Sequence, residues 1–163
     1  MSYTQTGDPT IREHVEAWQK LDVDQQLGLF WFIYKEMGGA ITPAAPGAST
    51  VSPEIAEGLF NQVKELSHEE QLKVQRDLIQ KVDSQLSRQY GSLSETTKLL
   101  FWYRLAQGMD SGSVIPVPSE YQLSSEGNTL LNKIKQLEFE QQITLFRDYV
   151  APMGTEAKAG AEI

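Results

Sequence analysis

Leu21-Asp-Val-Asp-Gln-Gln-Leu-Gly-Leu-Phe-Trp-Phe-Ile-Tyr-Lys-Glu-Met-Gly38 aligns without a gap on Leu137-Glu-Phe-Glu-Gln-Gln-Ile-Thr-Leu-Phe-Arg-Asp-Tyr-Val-Ala-Pro-Met-Gly154, sharing Leu, Gln-Gln, Leu-Phe and Met-Gly at matching positions. Its opening recurs a third time as Leu66-Ser-His-Glu-Glu-Gln-Leu72. An acidic first turn complements the helix dipole, so short helix starts resemble one another for local reasons. The longer match exceeds what a cap requires and reads as pseudo-symmetry between two helix bundles. In this register Arg147 takes the place of Trp31, which predicts different neighbours at the two ends of the fold.

Outward from these segments, helix start and stop signals recur while strand signals are nearly absent, so the chain reads as all-α. Ile11 to Lys20 is a short helix. Asp22 caps a second, with Gln25 as its capping-box partner and Gly38-Gly39 as terminator. Ser52-Pro53, an N-cap followed by an N1 proline, opens a helix to about Glu65, and Ser67 with Glu70 opens one to about Val82. Ser94 begins the helix that carries Phe101-Trp102-Tyr103 and ends near Met109. Ser124 or Ser125 caps a helix from about Glu126 to Gln136, and Glu138 caps one from Phe139 to Val150. The connections Ala40 to Val51 and Ser111 to Gln122 are longer than ordinary helix-to-helix loops. Their prolines stiffen them, which suits ordered covers over a site as well as plain crossovers. Residues 1–154 read as a single domain, and Thr155 to Ile163, rich in Ala and Gly, as a disordered tail.

The two aromatic runs, Phe30-Trp31-Phe32 with Tyr34 and Phe101-Trp102-Tyr103, hold seven of the fifteen aromatic residues. Helical rotation puts Leu27, Trp31 and Tyr34 on one face, and Leu99, Trp102, Tyr103 and Ala106 on another. If the faces meet, they form an aromatic-walled slot. Rings offer wide, rigid contact surface with few polar groups, which suits a long, flat, apolar ligand. Aromatics at helical spacing are also ordinary core, and that reading stays open.

The length of 163 residues fits one domain, and 14 Lys and Arg against 22 Asp and Glu give a net charge of −8. The basic residues are scattered singly from Arg12 to Lys158, which argues against nucleic acid as a partner. The absence of cysteine removes disulfides and thiolate chemistry and is compatible with the cytoplasm. Met1 to Thr10 has neither a basic nor an apolar signal region, and the run Leu27 to Tyr34 is too short to cross a bilayer.

Catalytic constellations are missing. His14 and His68 lie in different helices beside Glu13 and Glu69, on faces expected to be solvated, and neither makes a convincing base or metal ligand. First-turn capping accounts for Asp22 and Asp24. No nucleophile elbow, phosphate loop, zinc motif or dinucleotide fingerprint is present. The residues by themselves point to a non-enzymatic all-α binder of something flat and apolar, or to a helical protein-interaction module.

The strings Trp31-Phe-Ile-Tyr-Lys-Glu-Met-Gly38, Ala44-Ala-Pro-Gly-Ala48, Phe101-Trp-Tyr103, Met109-Asp-Ser-Gly112, Ile115-Pro-Val-Pro-Ser-Glu-Tyr121 and Gln141-Gln-Ile-Thr-Leu-Phe-Arg147 resemble, in order, the N-terminal domain of cyanobacterial orange carotenoid proteins. The chain is similar to the helical carotenoid proteins, stand-alone homologues of that domain. The resemblance implies two four-helix bundles of discontinuous membership with a keto-carotenoid between them, of the canthaxanthin, echinenone or 3'-hydroxyechinenone class. Carried over, Leu27, Trp31 and Tyr34 wall one side of a tunnel and Leu99, Trp102 and Tyr103 the other. Ala106, Val117, Tyr121, Ile143 and Thr144 complete it. Arg147 matches the family's partner-facing arginine, which meets the second domain or the light-harvesting antenna, and it should face solvent here. Ala106 stands where the two-domain relatives have glycine, and Gln75 and Arg76 replace a Met-Cys pair. The resemblance further implies a photoprotective, permanently red-shifted pigment-protein. A net charge of −8 without a basic cluster suits docking on an acidic antenna poorly, which puts quenching of singlet oxygen first and carriage of carotenoid next, with quenching of the phycobilisome as an alternative and a separate carrier resembling the C-terminal domain as a candidate partner. The expected location is the cytoplasm, at the phycobilisome or thylakoid surface.

Overall fold

The computed structural model describes residues 9–41, 53–118 and 120–155, and the side chains of 38–41, 53 and 54 lie outside the description. Its regular elements are all helices: α1 (Pro9–Gln19), α2 (Val23–Ile41), α3 (Pro53–Lys64), α4 (His68–Gln80), α5 (Gln85–Gly91), α6 (Glu95–Ser111), α7 (Ser125–Lys135) and α8 (Phe139–Val150). The all-α class is as expected. Most of the Ala40 to Val51 connection and the tail beyond Thr155 lie outside the described residues.

One turn is used four times. The N–H of Leu21 donates to Trp18 O at 3.0 Å, Leu66 to Val63 O at 3.0 Å, Leu93 to Tyr90 O at 3.0 Å and Leu137 to Ile134 O at 3.1 Å. Each leucine is followed at once by the cap of the next helix. Asp22 Oδ1 accepts from Gln25 N–H at 2.8 Å, Ser67 Oγ from Glu70 N–H at 3.2 Å and Ser94 Oγ from Thr97 N–H at 3.1 Å. The end of one helix and the start of the next thereby satisfy each other's orphan backbone groups within a few residues. The long sequence match goes deeper. Gln26 Nε2 donates to Trp18 O and Gln142 Nε2 to Ile134 O, both at 3.0 Å, so the α1–α2 and α7–α8 hairpins carry the same side-chain tie.

Two bundles result. α1 packs on α7 and α8 and α2 on α7, while α3 packs on α4, α5 and α6 and α4 on α5. The first bundle therefore takes its members from both ends of the chain, which is the discontinuous membership the resemblance implied. The bundles join where α2 meets α4 and α6 and where α6 meets α8. Leu29, Val63, Leu105 and Leu145 are wholly buried. Each such side chain stabilises the fold by about 1.5–3 kcal/mol relative to exposure.

Four local expectations are corrected. Gln25 does not complete a capping box, because its Oε1 accepts from Ser124 N–H at 2.7 Å and ties α2 to the head of α7. α2 runs through Gly38-Gly39 to Ile41, since glycine permits a left-handed cap without compelling one. The short helix α5 was not anticipated; Ser84 caps it, with Oγ accepting from Ser87 N–H at 3.0 Å. His14 is buried rather than solvated, its Nδ1 2.7 Å from Thr10 O, because α1 turns that face toward α7. His68 is exposed, as expected.

Candidate functional site

Helix geometry delivers the two aromatic faces to one place. Leu27, Trp31 and Tyr34 of α2 oppose Leu99, Trp102, Tyr103 and Ala106 of α6 across a slot with a cavity volume of about 60 Å³. Phe30, Ile33, Gln75 of α4, Met109, and Phe146 and Val150 of α8 complete its walls. A second cavity of about 300 Å³ lies beyond, under the Ile115–Pro118 strap and Tyr121, against Asp24, Gly28, Leu72 and Arg76. The two share Leu27, Gln75 and Met109, so a narrow slot and a wider chamber lie side by side along α2.

The walls are fixed from behind. Trp102 Nε1–H donates to Tyr90 Oη at 3.0 Å, and Tyr90 O–H donates to Val150 O at 2.7 Å, a relay that sets the indole plane from α8. Burial pushes the Tyr90 hydroxyl well above its ordinary pKa, so it remains a donor. Phe30 meets the Trp102 edge at 5.2 Å and stacks on Trp18 at 5.3 Å, and Trp18 stacks on Tyr149 at 4.6 Å. The rings thus form a continuous series from the slot into the core of the first bundle.

At the far end of the slot Trp31 stacks on Tyr34 at 5.7 Å and Tyr34 meets Tyr103 edge-on at 5.6 Å. Tyr34 O–H reaches Asp110 Oδ2 at 3.3 Å, joining α2 to α6. Burial and the neighbouring carboxylate raise the Tyr34 pKa. The wide chamber is closed by Arg76, whose Nε and Nη2 donate to the Asp24 carboxylate at 2.9 and 3.1 Å, and by Tyr121, whose O–H donates to Asp24 O at 3.1 Å. Gly28 is required there: a Cβ would stand 2.6 Å from Tyr121 Oη. Residues Ile115 to Pro118 of the connection lie against the chamber, pinned by Ile115 N–H donating to Gln71 Oε1 at 2.7 Å.

Of the sequence-derived site residues, seven border the slot, and Val117 and Tyr121 border the chamber. Ile143 and Thr144 border neither: Ile143 is buried in the core and Thr144 is half-buried. Arg147 is half-buried, with its Nε enclosed where α8 is held between α1 and α6. Phe30, Ile33, Gln75, Met109, Phe146 and Val150 were missed. Two of them had a signal, since Phe146 and Val150 are the register partners of Phe30 and Tyr34 in the internal repeat. No group of three metal-ligating side chains occurs among the described residues.

The sequence pattern of the family described as "Orange carotenoid protein, N-terminal" matches residues 4–156. An orange carotenoid-binding domain-containing protein of Nostoc sp. strain PCC 7120 is 48% identical over 155 residues, covering 95% of this chain and 89% of its own. The orange carotenoid-binding protein of Synechocystis sp. is 40% identical over 150 residues, covering 91% of this chain, which spans only 47% of that relative. The solved structure of the Red Carotenoid Protein of Anabaena (Nostoc) sp. PCC 7120 binding canthaxanthin superposes with a TM-score of 0.82 at 68% identity, covering 91% of this chain and 100% of that one. An all-helical chain with two interlocked bundles and an aromatic slot between them, matched over nearly its whole length, belongs to the family of orange carotenoid protein N-terminal domains.

Proposed function

We propose that this chain binds a keto-carotenoid along the slot and chamber and serves as a photoprotective pigment-protein. The observation that carries the reading is the slot itself: a narrow gap between two bundles, bounded by flat rings and aliphatic side chains, with a wider chamber beside it. Its fit is chemical as well as geometric. The Tyr34 hydroxyl is taken up by Asp110 and the Trp102 N–H by Tyr90, so the rings present apolar faces to the gap. Red Carotenoid Protein, 68% identical, is described as binding canthaxanthin.

In this reading Leu27, Trp31 and Tyr34 grip one side of the polyene and Leu99, Trp102 and Tyr103 the other, while Val117 and Tyr121 cover the end held in the chamber. A bound long polyene supplies low-lying excited states that accept energy from singlet oxygen and release it as heat. The chain keeps the pigment apart from water and from other pigment molecules and orients it. The absorption expected of this site is red-shifted in light and dark alike. Quenching of singlet oxygen needs only oxygen to reach the polyene. Quenching of an antenna needs a docking surface, for which a net charge of −8 is poorly suited if the antenna is itself acidic.

The test is the visible absorption spectrum of the protein purified from cells that make keto-carotenoids, before and after strong blue light. A broad red-shifted band that light leaves unchanged is the expected result. A colourless, monodisperse protein would replace this reading with a pigment-free interaction module.

A further inference from the structure

We infer that Gln75 is a specificity residue that selects a carotenoid bearing a ring oxygen over the corresponding hydrocarbon; the inference rests on the carotenoid reading of the slot. Gln75 is 1% exposed, yet its amide Nε2 has no hydrogen-bond partner. It sits where the slot and the chamber share a wall, beside Leu27 and Met109. The other donors nearby have partners. Tyr34 uses Asp110, Trp102 uses Tyr90, Tyr121 uses the Asp24 carbonyl, and Arg76 donates twice to the Asp24 carboxylate. Gln75 alone among these brings an unused amide to the cavity wall.

An orphaned buried amide is costly, and the cost persists when an aliphatic ligand covers it. A ligand oxygen within reach removes it. A site built around such a donor therefore rejects the analogue that lacks the acceptor more strongly than an apolar pocket rejects an extra oxygen. The keto oxygen lies on the edge of the ring away from the polyene, so a cyclohexenone ring seated with that edge against Gln75 gives the amide N–H its acceptor.

The experiment loads the protein from an equimolar mixture of canthaxanthin and β-carotene and measures the pigments extracted from the purified complex. The natural chain should enrich canthaxanthin roughly tenfold. Gln75→Met, similar in volume and without the amide, should still take up pigment but fall to within about twofold of the input ratio. The carbonyl stretch of bound canthaxanthin should lie lower in frequency in the natural chain than in the variant. Equal enrichment in both proteins, or pigmented natural protein without preference, overturns the role of Gln75 and leaves the carotenoid reading intact. Natural protein that takes up neither pigment overturns both. Should Gln75→Met fail to fold, Gln75→Leu takes its place with the same two readouts and the same outcomes.

Discussion

At the scale of single residues, the slot depends on side chains whose polar ends are tied off behind it. Trp102 shows this most plainly: it is 6% exposed, its ring meets Phe30, and its N–H is spent on Tyr90. Trp102→Ala should therefore lower stability by about 3–5 kcal/mol, by loss of packing and of the relay, and weaken pigment retention in a gel-filtration assay. Trp31 is half-buried, so Trp31→Ala should weaken retention with a smaller loss of stability. Full loading of both variants would argue against the slot. Tyr90 and Tyr149 give a pH prediction. Burial raises both hydroxyls well above the ordinary value of 10.0. Above that pH the unfolded chain gives up these protons and the folded chain keeps them, so the stabilisation present below pH 10 falls as pH rises, by about 1.4 kcal/mol per pH unit for each tyrosine. Tyrosinate absorbance from these two should grow only together with the loss of helical circular dichroism. Trp31, Tyr34, Trp102 and Tyr103 were legible because they are large and regularly spaced on their helices. Gln75 and Met109 were not, because nothing in the local pattern around a polar or flexible residue says which neighbour it will meet.

At the scale of elements, caps made the helix starts legible: Asp22, Ser67, Ser94, Ser124 and Glu138 all precede helices. Ends were less legible, since a helix stops by several backbone routes and few leave a residue signature. α4 ends on Lys81 in the left-handed conformation, φ 60° and ψ 37°, where a Cβ is unfavourable. Its side chain is exposed, and the cap N–H serves Asp77 O and Leu78 O, bonds a glycine makes equally well. Lys81→Gly should accordingly raise stability by about 0.5–1 kcal/mol, read as a shift of the urea midpoint at constant slope. An unchanged or lowered midpoint would mean that the added freedom of glycine in the unfolded chain outweighs the strain removed. α5 escaped notice because seven residues are too few to display a helical period, although Ser84 carried the cap signal.

At the scale of the whole molecule, the residues by themselves show the repeat, while the interlock was implied only by the resemblance. Sequence matching can say that α1–α2 and α7–α8 are alike. Only packing shows that they close on each other and leave α3–α6 as the second bundle, with the slot lying where α2 meets α4 and α6. Charge acts at this scale too. The net charge of −8 is spread over a surface without a basic cluster, so approach to an acidic antenna is opposed at low ionic strength and less opposed as salt shortens the screening length. Oxygen is uncharged, and its arrival at the polyene is indifferent to salt. The loaded protein should therefore shorten the lifetime of singlet-oxygen phosphorescence in proportion to its concentration, with the same slope at low and near-molar salt. It should leave the fluorescence of isolated phycobilisomes unchanged at both. A fall in antenna fluorescence at low salt would show that a local docking surface overrides the net repulsion, and the antenna-quenching role would then displace the oxygen-quenching one.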